Sequence, residues 1–231
     1  MTDTRPEGLQ KIKHIVAVAS GKGGVGKSTT TVNVALAMAK AGFKVGVLDA
    51  DIYGPSQGLM LGIAEGSHPE TMDEKWFVPI QAHGVSVMSM AFLVDANTPM
   101  VWRGPMAAGA LQQMLLQTAW GELDYLFVDM PPGTGDIQLT LCQKAQVSGA
   151  IIVTTPQDLA LLDARKGIVM FNKVNVPVLG IVENMSTHVC SQCNHEEAIF
   201  GSGGGAALAQ EYGSELLASL PLSMAIRVLV D

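Results

Sequence analysis

The sequence predicts an α/β fold: a mostly parallel, doubly wound sheet covered by helices on both faces. Short apolar runs alternate along the chain with longer amphipathic runs, which is typical of parallel strands joined by crossover helices. A glycine-rich segment lies directly between the first such strand and the first such helix. Two further apolar runs end in Asp49 and Asp129. Polar groups thus gather at the carboxyl ends of the strands, where α/β folds bind ligands.

The pattern predicts the elements in the following order. The predicted strands occupy 14–20, 44–50, 85–90, 125–130, 150–155 and 176–182, and the predicted helices 28–41, 105–120, 137–146, 158–174 and 203–212. Gly42 lies just past the first helix and Pro105 opens another, as expected for helix ends and helix starts. The stretch 54–83 is rich in Gly, Pro, His and Glu, so we expect a long excursion beside the sheet.

The two ends of the chain differ from this middle part. Residues 1–13 are polar and show no periodicity, so we expect a flexible N-terminal arm before a single domain over 14–231. The last residues, 220–231, begin another element and stop without a cap. This predicts a natural chain that continues past Asp231.

The composition excludes several classes of protein. Apolar residues make up 48% of the 231 residues and charged residues 15%, which excludes disorder and coiled coil as the main class. A formal net charge of −7 leaves no general basic surface for nucleic acid or anionic lipid. The apolar runs are far shorter than the roughly 20 residues of a membrane span. Three cysteines and no secretory leader predict a cytoplasmic location, with neither membrane nor nucleic acid as a partner.

The glycine-rich segment Gly21-Lys-Gly-Gly-Val-Gly-Lys-Ser28 fits the phosphate-binding pattern G-x-x-x-x-G-K-[ST]. Its glycines let backbone N–H groups turn toward phosphate oxygens, and the next helix adds the positive end of its dipole. We expect Lys27 to reach the β- and γ-phosphates and the Ser28 hydroxyl to ligate Mg2+. The predicted nucleotide cradle consists of Gly21, Lys22, Gly23, Gly24, Val25, Gly26, Lys27, Ser28 and Thr29.

Carboxylates follow two later strands, where the same site should lie. An apolar run ending in Asp is the Walker B arrangement, in which the carboxylate holds a water bound to Mg2+, and we assign this role to Asp129. Asp49 is predicted to lie near the metal and Asp51 near the attacking water. A turn or helix N-cap is the alternative for Asp51 and Asp129. The Pro-Pro-Gly-Thr-Gly segment after Met130 suits a loop that senses the γ-phosphate.

The string GKGGVGKST, with its second lysine at position 22, is similar to the deviant Walker A motif of the MinD/ParA/nitrogenase iron-protein class, a SIMIBI-type group of P-loop NTPases. The resemblance implies a Mg2+-dependent ATPase that forms a homodimer, in which Lys22 reaches the partner's nucleotide. A cation that arrives only on dimerisation would couple hydrolysis to assembly, as an arginine finger does. The alternative for Lys22 is a solvated loop lysine.

Five strings follow in order within that class: DADIYGPS (49–56), WRGPM (102–106), DMPPGTGD (129–136), TTPQD (154–158) and ENMS with a C-x-x-C (183–193). Together they resemble the Mrp/ApbC-type iron–sulfur cluster carriers over about residues 14–225. The resemblance implies an ATP-dependent carrier that holds a 4Fe-4S cluster across a homodimer and delivers it to apo iron–sulfur proteins. It also implies that Asn184 contacts adenine, with a turn asparagine as the alternative. We expect this protein to differ from many members of that family in lacking an N-terminal accessory domain.

The C-x-x-C is Cys190-Ser-Gln-Cys193, in a polar loop after the last predicted strand. Two thiolates at this spacing hold one metal or two corners of a cluster, whereas Zn2+ or a 4Fe-4S cluster takes four ligands. One chain supplies half of them, and pairing across a two-fold axis brings four together. Two alternatives stay open: a thioredoxin-like redox pair, and a Zn2+ site completed by His188 or His195. Cys142 has an apolar helical context and is expected to be buried.

Two other functions compete with the carrier. A MinD/ParA-like positioning ATPase acts through a nucleotide-dependent dimer on membrane or DNA, and needs a basic surface that a net charge of −7 does not show. A ligase or kinase of the dethiobiotin-synthetase type would not explain the C-x-x-C loop. The main hypothesis is therefore an ATP-binding and hydrolysing iron–sulfur cluster carrier.

Overall fold

A computed structural model of the chain describes residues 5–93 and 104–228. Within them the strands are Ile12–Ala19 (β1), Val45–Asp49 (β2), Thr71–Met72 (β3), Trp76–Phe77 (β4), Ile80–Ala82 (β5), Val85–Ser89 (β6), Leu123–Asp129 (β7), Gly149–Thr154 (β8), Val178–Val189 (β9), Glu196–Glu197 (β10) and Leu216–Leu222 (β11). The helices are Lys27–Lys40 (α1), Gln57–Met60 (α2), Gly104–Leu116 (α3), Asp136–Ala145 (α4), Asp158–Lys173 (α5), Gly204–Glu211 (α6) and Met224–Val228 (α7). Short 3-10 helices occupy Glu7–Leu9 and Met90–Leu93.

The predicted α/β class with a mostly parallel sheet is confirmed. Across the described residues, one nine-stranded sheet has the order β10-β9-β8-β1-β7-β2-β6-β5, and β11 pairs with β9. All of its pairs are parallel except β5 with β6 and β9 with β10. The chain leaves β1 for β2 and later returns to place β7 between them. The carboxyl ends of β1, β2 and β7 therefore meet in one crevice.

Helices cover both faces of the sheet, because side chains on successive positions of a buried strand point to opposite faces. On β1, Ala17 belongs to a core shared with α3, α4, α5 and α6, while Val16 and Val18 belong to a core shared with α1. Phe171 of α5 is fully buried in the first core and Val32 of α1 is buried in the second. This two-sided packing fixes the crevice on a rigid base.

The start of the chain departs from the expected flexible arm 1–13. Residues 5–13 contain the 3-10 turn Glu7–Leu9 and the first residues of β1. Leu9 is fully buried in the core beside α3. A single apolar residue among polar neighbours gives no periodic signal, so packing against a distant helix decides its place.

The last of the predicted strands, at 176–182, is longer in the structure. There, β9 runs to Val189 rather than ending near Val182. The added part is polar in sequence, but β11 pairs with it in parallel, with Leu220 opposite Asn184 and Leu222 opposite His188. The pairing partner lies about 35 residues later along the chain, so the local sequence pattern could not reveal it.

The remaining differences are local. The expected excursion 54–83 holds α2 and the short strands β3, β4 and β5. The helix predicted at 105–120 ends at Leu116. Trp102 and Arg103 of the WRGPM string lie outside the described residues. In the parts of the chain that the structure describes, no helix is long and apolar enough to span a bilayer.

Candidate functional site

The glycine-rich segment forms the turn between β1 and α1, and Lys27 is the first residue of the helix. Gly24 and Gly26 have φ angles of 79° and 87°, a region that side-chain-bearing residues rarely adopt. A Cβ on Gly26 would also lie 2.1 Å from the side-chain amide nitrogen of Asn184. Within the described residues, the amide groups of Gly23, Gly24 and Val25 donate no hydrogen bond. These free donors at a helix start suit a phosphate.

Lys27 is directed across the crevice to Asp129. Its ammonium group lies 2.6 Å from Oδ1 of Asp129 and 3.1 Å from the Ser28 hydroxyl, and both charged side chains are buried. The same Oδ1 accepts the Thr31 hydroxyl at 3.1 Å. Separating a buried ion pair would leave each charge without a partner, which is costly. This contact therefore links the phosphate loop firmly to the end of β7.

Asp49 lies beside Asp129, since the two residues are opposite each other in the β2–β7 pairing. It is fully buried. Its Oδ2 accepts the amides of Ser56 and Gln57 at 2.9 and 3.0 Å and the Ser89 hydroxyl at 3.1 Å. Burial, and then the negative charge of Asp129, raise the pKa of Asp49 to about 7. The crevice thus holds two neighbouring carboxyl groups and one buried ammonium group.

The donor set of this crevice fits Mg2+. A divalent cation prefers carboxylate, hydroxyl and carbonyl oxygens, and Ser28, Asp49 and Asp129 bring such oxygens to one place. The two carboxyl groups face a single buried ammonium group, that of Lys27, so the crevice can hold negative charge that Lys27 does not offset. A bound cation would offset it.

Asp51 has a different environment from the other two carboxylates. Its Oδ1 accepts the backbone amides of Tyr53 and Gly54, each at 3.3 Å. This is the turn arrangement given above as the alternative for Asp51. The contact holds the side chain in the loop between β2 and α2, and a role toward an attacking water stays a prediction.

Asn184 joins β9 to the phosphate loop. Its amide nitrogen donates to the backbone oxygen of Val25 at 2.9 Å. Asn184 also lines a cavity of about 380 Å³, together with Thr29, Leu220 and Ile226. Pro221 lies in β11, where an edge strand tolerates the missing donor. The structure therefore places Asn184 in a partly apolar hollow at the start of α1, next to the phosphate loop.

The cysteine pair lies at the tip of the hairpin between β9 and β10. The amide of Cys190 donates to the His195 oxygen, and the amide of Asn194 donates to the Cys190 oxygen, each at 2.9 Å. Asn194 takes a φ of 57° to complete the turn. Hydrogen bonds from the backbone of Gln192 and Cys193 to the Cys190 sulfur, followed by the Cys193 thiol, lower the pKa of Cys190. Such N–H···S contacts favour a thiolate ligand.

The histidines near this hairpin do not complete a ligand set. Nδ1 of His188 lies 3.8 Å from a Glu197 carboxylate oxygen, and the described contact of His195 at Cys190 is through its backbone oxygen. Over residues 5–93 and 104–228, no group of three or more His, Cys, Asp or Glu side chains is arranged to hold a metal ion. The thiols Cys190 and Cys193 are thus a two-ligand unit within one chain.

The three cysteines should differ sharply in reactivity. Burial raises the pKa of Cys142 to about 11, whereas Cys193 is exposed and Cys190 partly so. Because the thiolate is the reactive form, we expect iodoacetamide at pH 7.5 to modify Cys190 and Cys193 in the native protein and Cys142 only after unfolding. Peptide mass spectrometry of timed samples measures this order. Early labelling of Cys142 would contradict the buried assignment.

The sequence did not predict a role for two residues of this region, Gln57 and Glu183. Gln57 donates its side-chain amide to Asp129 at 3.0 Å, and Glu183 accepts the amide of Gly205 at the start of α6. The string DADIYGPS stops one residue before Gln57. Glu183 belongs to ENMS, where only the neighbouring Asn184 was assigned a role. Gln57 begins a short helix and Glu183 lies within a strand. Neither residue belongs to a motif with a characteristic spacing, so the sequence pattern does not indicate its contact.

Comparison with known proteins agrees with this architecture. The chain is 70% identical over 224 residues to the iron-sulfur cluster carrier protein of Pseudomonas fragi, covering 97% of this chain and 78% of that one. It is 59% identical to the iron-sulfur cluster carrier protein of Escherichia coli strain K12, of which it spans 60%.

Among solved structures, a nucleotide-binding protein of Archaeoglobus fulgidus in complex with ADP superposes with a TM-score of 0.85 at 41% identity. The match covers 97% of this chain and 88% of that one. The family model that describes NUBPL iron-transfer P-loop NTPases matches residues 11–231. With that match over nearly the whole chain, this protein belongs to the NUBPL iron-transfer P-loop NTPase family of ParA type.

Proposed function

We propose that this chain binds and hydrolyses ATP with Mg2+ and carries an iron–sulfur cluster at Cys190 and Cys193 for transfer to apo-proteins. The observation that carries the proposal is the course of β9. One strand holds Asn184 against the phosphate loop and ends at the cysteine hairpin, six residues later. Six residues of strand span roughly 20 Å. The middle of β9 therefore contacts the phosphate loop, and the carboxyl end of the same strand leads into the cysteine hairpin.

Phosphate binding uses the cradle from Gly21 to Thr29. The free amides of the loop donate to phosphate oxygens, and the negative charge of the phosphates draws Lys27 away from Asp129. The Asp129 carboxylate would then be free to hold a water of Mg2+, and Ser28 and Asp49 would supply further oxygen groups for that ion. The chemistry that Mg2+ would supply there is neutralisation of charge on the β- and γ-phosphates. Asp51 is assigned to the attacking water.

The cluster is cargo rather than a permanent group. A 4Fe-4S cluster takes four thiolates, and each hairpin offers Cys190 and Cys193 at the surface while Cys142 is buried. Two chains paired about a two-fold axis supply the full set. We therefore propose a homodimer that bridges one cluster and releases it to an apo iron–sulfur protein. The surface position of the hairpin suits exchange, because an acceptor's thiols can approach it.

The positioning-ATPase alternative explains less of the molecule. It accounts for the phosphate loop but assigns no task to the hairpin whose backbone amides lower the pKa of Cys190. The net charge of −7 also disfavours an anionic surface as its partner. A Zn2+ site shared by two hairpins uses the same four thiolates, so metal analysis separates it from the cluster.

Cluster transfer tests the proposed function directly. Protein reconstituted with iron and sulfide under anaerobic conditions is mixed with an apo-ferredoxin, and circular dichroism in the visible range follows formation of the holo-acceptor. We expect transfer from this protein to be faster than reconstitution from free iron and sulfide at equal concentration, and to resist a chelator that removes free iron. Transfer that the chelator abolishes would contradict the carrier function.

Base selectivity tests the placement of adenine in the hollow beside Asn184. The amide nitrogen of Asn184 is engaged with Val25, which leaves its oxygen to accept from the N6 donor of adenine, whereas guanine presents O6 there. We expect ATP to bind about tenfold or more tightly than GTP, a difference of one good hydrogen bond, and Asn184→Ala to bring the two affinities together. Calorimetry with both nucleotides measures this, and equal affinities in the unchanged protein would refute the assignment.

Lys22 is assigned a role across the dimer. Its side chain is partly exposed and forms no ion pair with any described residue. We expect Lys22→Ala to keep nucleotide affinity and to lose most of its turnover, because its target phosphate lies on the partner. Mixing Lys22→Ala with Asp129→Asn should restore activity, since one mixed site then has its own Asp129 and the partner's lysine. Heterodimers that form without restored activity would contradict action across the dimer.

A further inference from the structure

Gln57 is the first residue of α2, and its side-chain amide has hydrogen-bond partners at the nitrogen but none at the oxygen. It is fully buried. Its nitrogen donates to the backbone oxygen of Ser28 and to Oδ2 of Asp129, both at 3.0 Å. Its oxygen Oε1 is one of two buried side-chain polar atoms in the described residues without a hydrogen-bond partner. A buried acceptor left unpaired is costly, so the position calls for a donor.

The orientation of this amide is fixed by its neighbours. The Ser28 carbonyl can only accept a hydrogen bond, and Asp129 lies against the ammonium group of Lys27, so both present acceptor oxygens to the amide. Turning the amide over would place Oε1 against both of them and leave the nitrogen in the unpartnered direction. The unpartnered atom at this position is therefore an acceptor, and what completes the site must donate to it.

We propose that Gln57 is a positioning residue whose Oε1 accepts a hydrogen bond from a water in the coordination shell of Mg2+. This rests on the proposed Mg2+-dependent nucleotide site, because the amide touches Ser28 and Asp129, the residues assigned to that metal. Mg2+ keeps several of its waters in proteins. A water polarised by Mg2+ is a strong donor. The amide then ties α2 to the metal on one side and to Asp129 on the other.

Two variants of equal length separate this role from a purely structural one. Gln57→Met removes both the donor and the acceptor, whereas Gln57→Glu removes the same donor but keeps an oxygen acceptor. The measured quantity is the ratio of AMPPNP dissociation constants in EDTA and in Mg2+, by calorimetry. We expect Gln57→Met to lower this ratio about tenfold, the loss of one hydrogen bond to a charged group, with the constant in EDTA nearly unchanged. Gln57→Glu should keep or raise the ratio.

The outcomes distinguish this inference from the function on which it rests. Equal ratios in the Met and Glu variants would overturn the inference and show that the amide matters only through its donor. A Met variant weakened equally with and without Mg2+ would overturn it as well, since this indicates a structural role. If the unchanged protein binds AMPPNP equally in EDTA and in Mg2+, the proposed magnesium site fails and this inference fails with it.

Discussion

Replacing Lys27 by Ala should abolish ATP hydrolysis and also destabilise the nucleotide-free protein. Removing a cation from a transferring phosphoryl group costs about a hundredfold or more in rate. The second effect follows from the buried contact of 2.6 Å with Asp129, because breaking a buried pair leaves one charge without a partner, at a cost of about 3–5 kcal/mol. A phosphate-release assay measures the first effect, and urea denaturation at neutral pH measures the second.

A double variant separates the two effects. In Lys27→Ala with Asp129→Asn, both charges of the buried pair are removed together, so we expect stability to recover relative to Lys27→Ala while hydrolysis stays absent. The four proteins form a cycle whose coupling energy reports the pair itself. ATP turnover near the unchanged level in Lys27→Ala would refute the phosphate-loop assignment. Equal stability of Lys27→Ala and the double variant would contradict the cost assigned to an unpaired Asp129 charge.

Replacing either Cys190 or Cys193 by Ser should abolish cluster binding. Each chain then offers one surface thiolate, and a pair of chains offers two of the four that a 4Fe-4S cluster needs. The unchanged protein should hold about two iron atoms per chain after anaerobic reconstitution, with one cluster per dimer. Iron analysis, visible absorption and the mass of the reconstituted species measure these values together.

Cys142→Ala is the matched control for these variants. Cys142 is a residue of α4 whose thiol is buried in the core, so its loss should leave the iron content unchanged at a small cost in stability. Retention should weaken as the pH falls, because protons compete with iron for the thiolates. About four iron atoms per chain, or a cluster that survives loss of Cys190, would contradict bridging. Zinc with no iron would favour the shared Zn2+ site.

Much of this molecule follows from local sequence. The phosphate loop needs glycines where φ is positive and a lysine at the start of a helix, and these requirements are met within eight consecutive residues. The buried strands β1, β2 and β8 are short apolar runs on both faces, so their positions in the sequence were visible before any fold was known. The same applies to the hairpin cysteines, whose spacing alone predicts a two-ligand unit.

Other features depend on partners far away in the chain. The polar half of β9 becomes a strand because β11 pairs with it, and Leu9 is buried because the core beside α3 receives it. The contact of Lys27 with Asp129 also joins positions about a hundred residues apart.

The sequence by itself determined the fold class, the position of the phosphate loop and the types of side chain that the candidate sites contain. Each of these depends on backbone geometry or side-chain type within a short stretch of sequence. Only the tertiary structure decided which of these groups meet. It buried Asp49 and placed it beside Asp129, and both effects raise the pKa of Asp49. It also brought the side-chain amide of Gln57 into hydrogen-bond contact with Asp129 and left the amide oxygen Oε1 without a partner. Burial and electrostatic coupling arise from contacts between distant segments, and no local pattern records them.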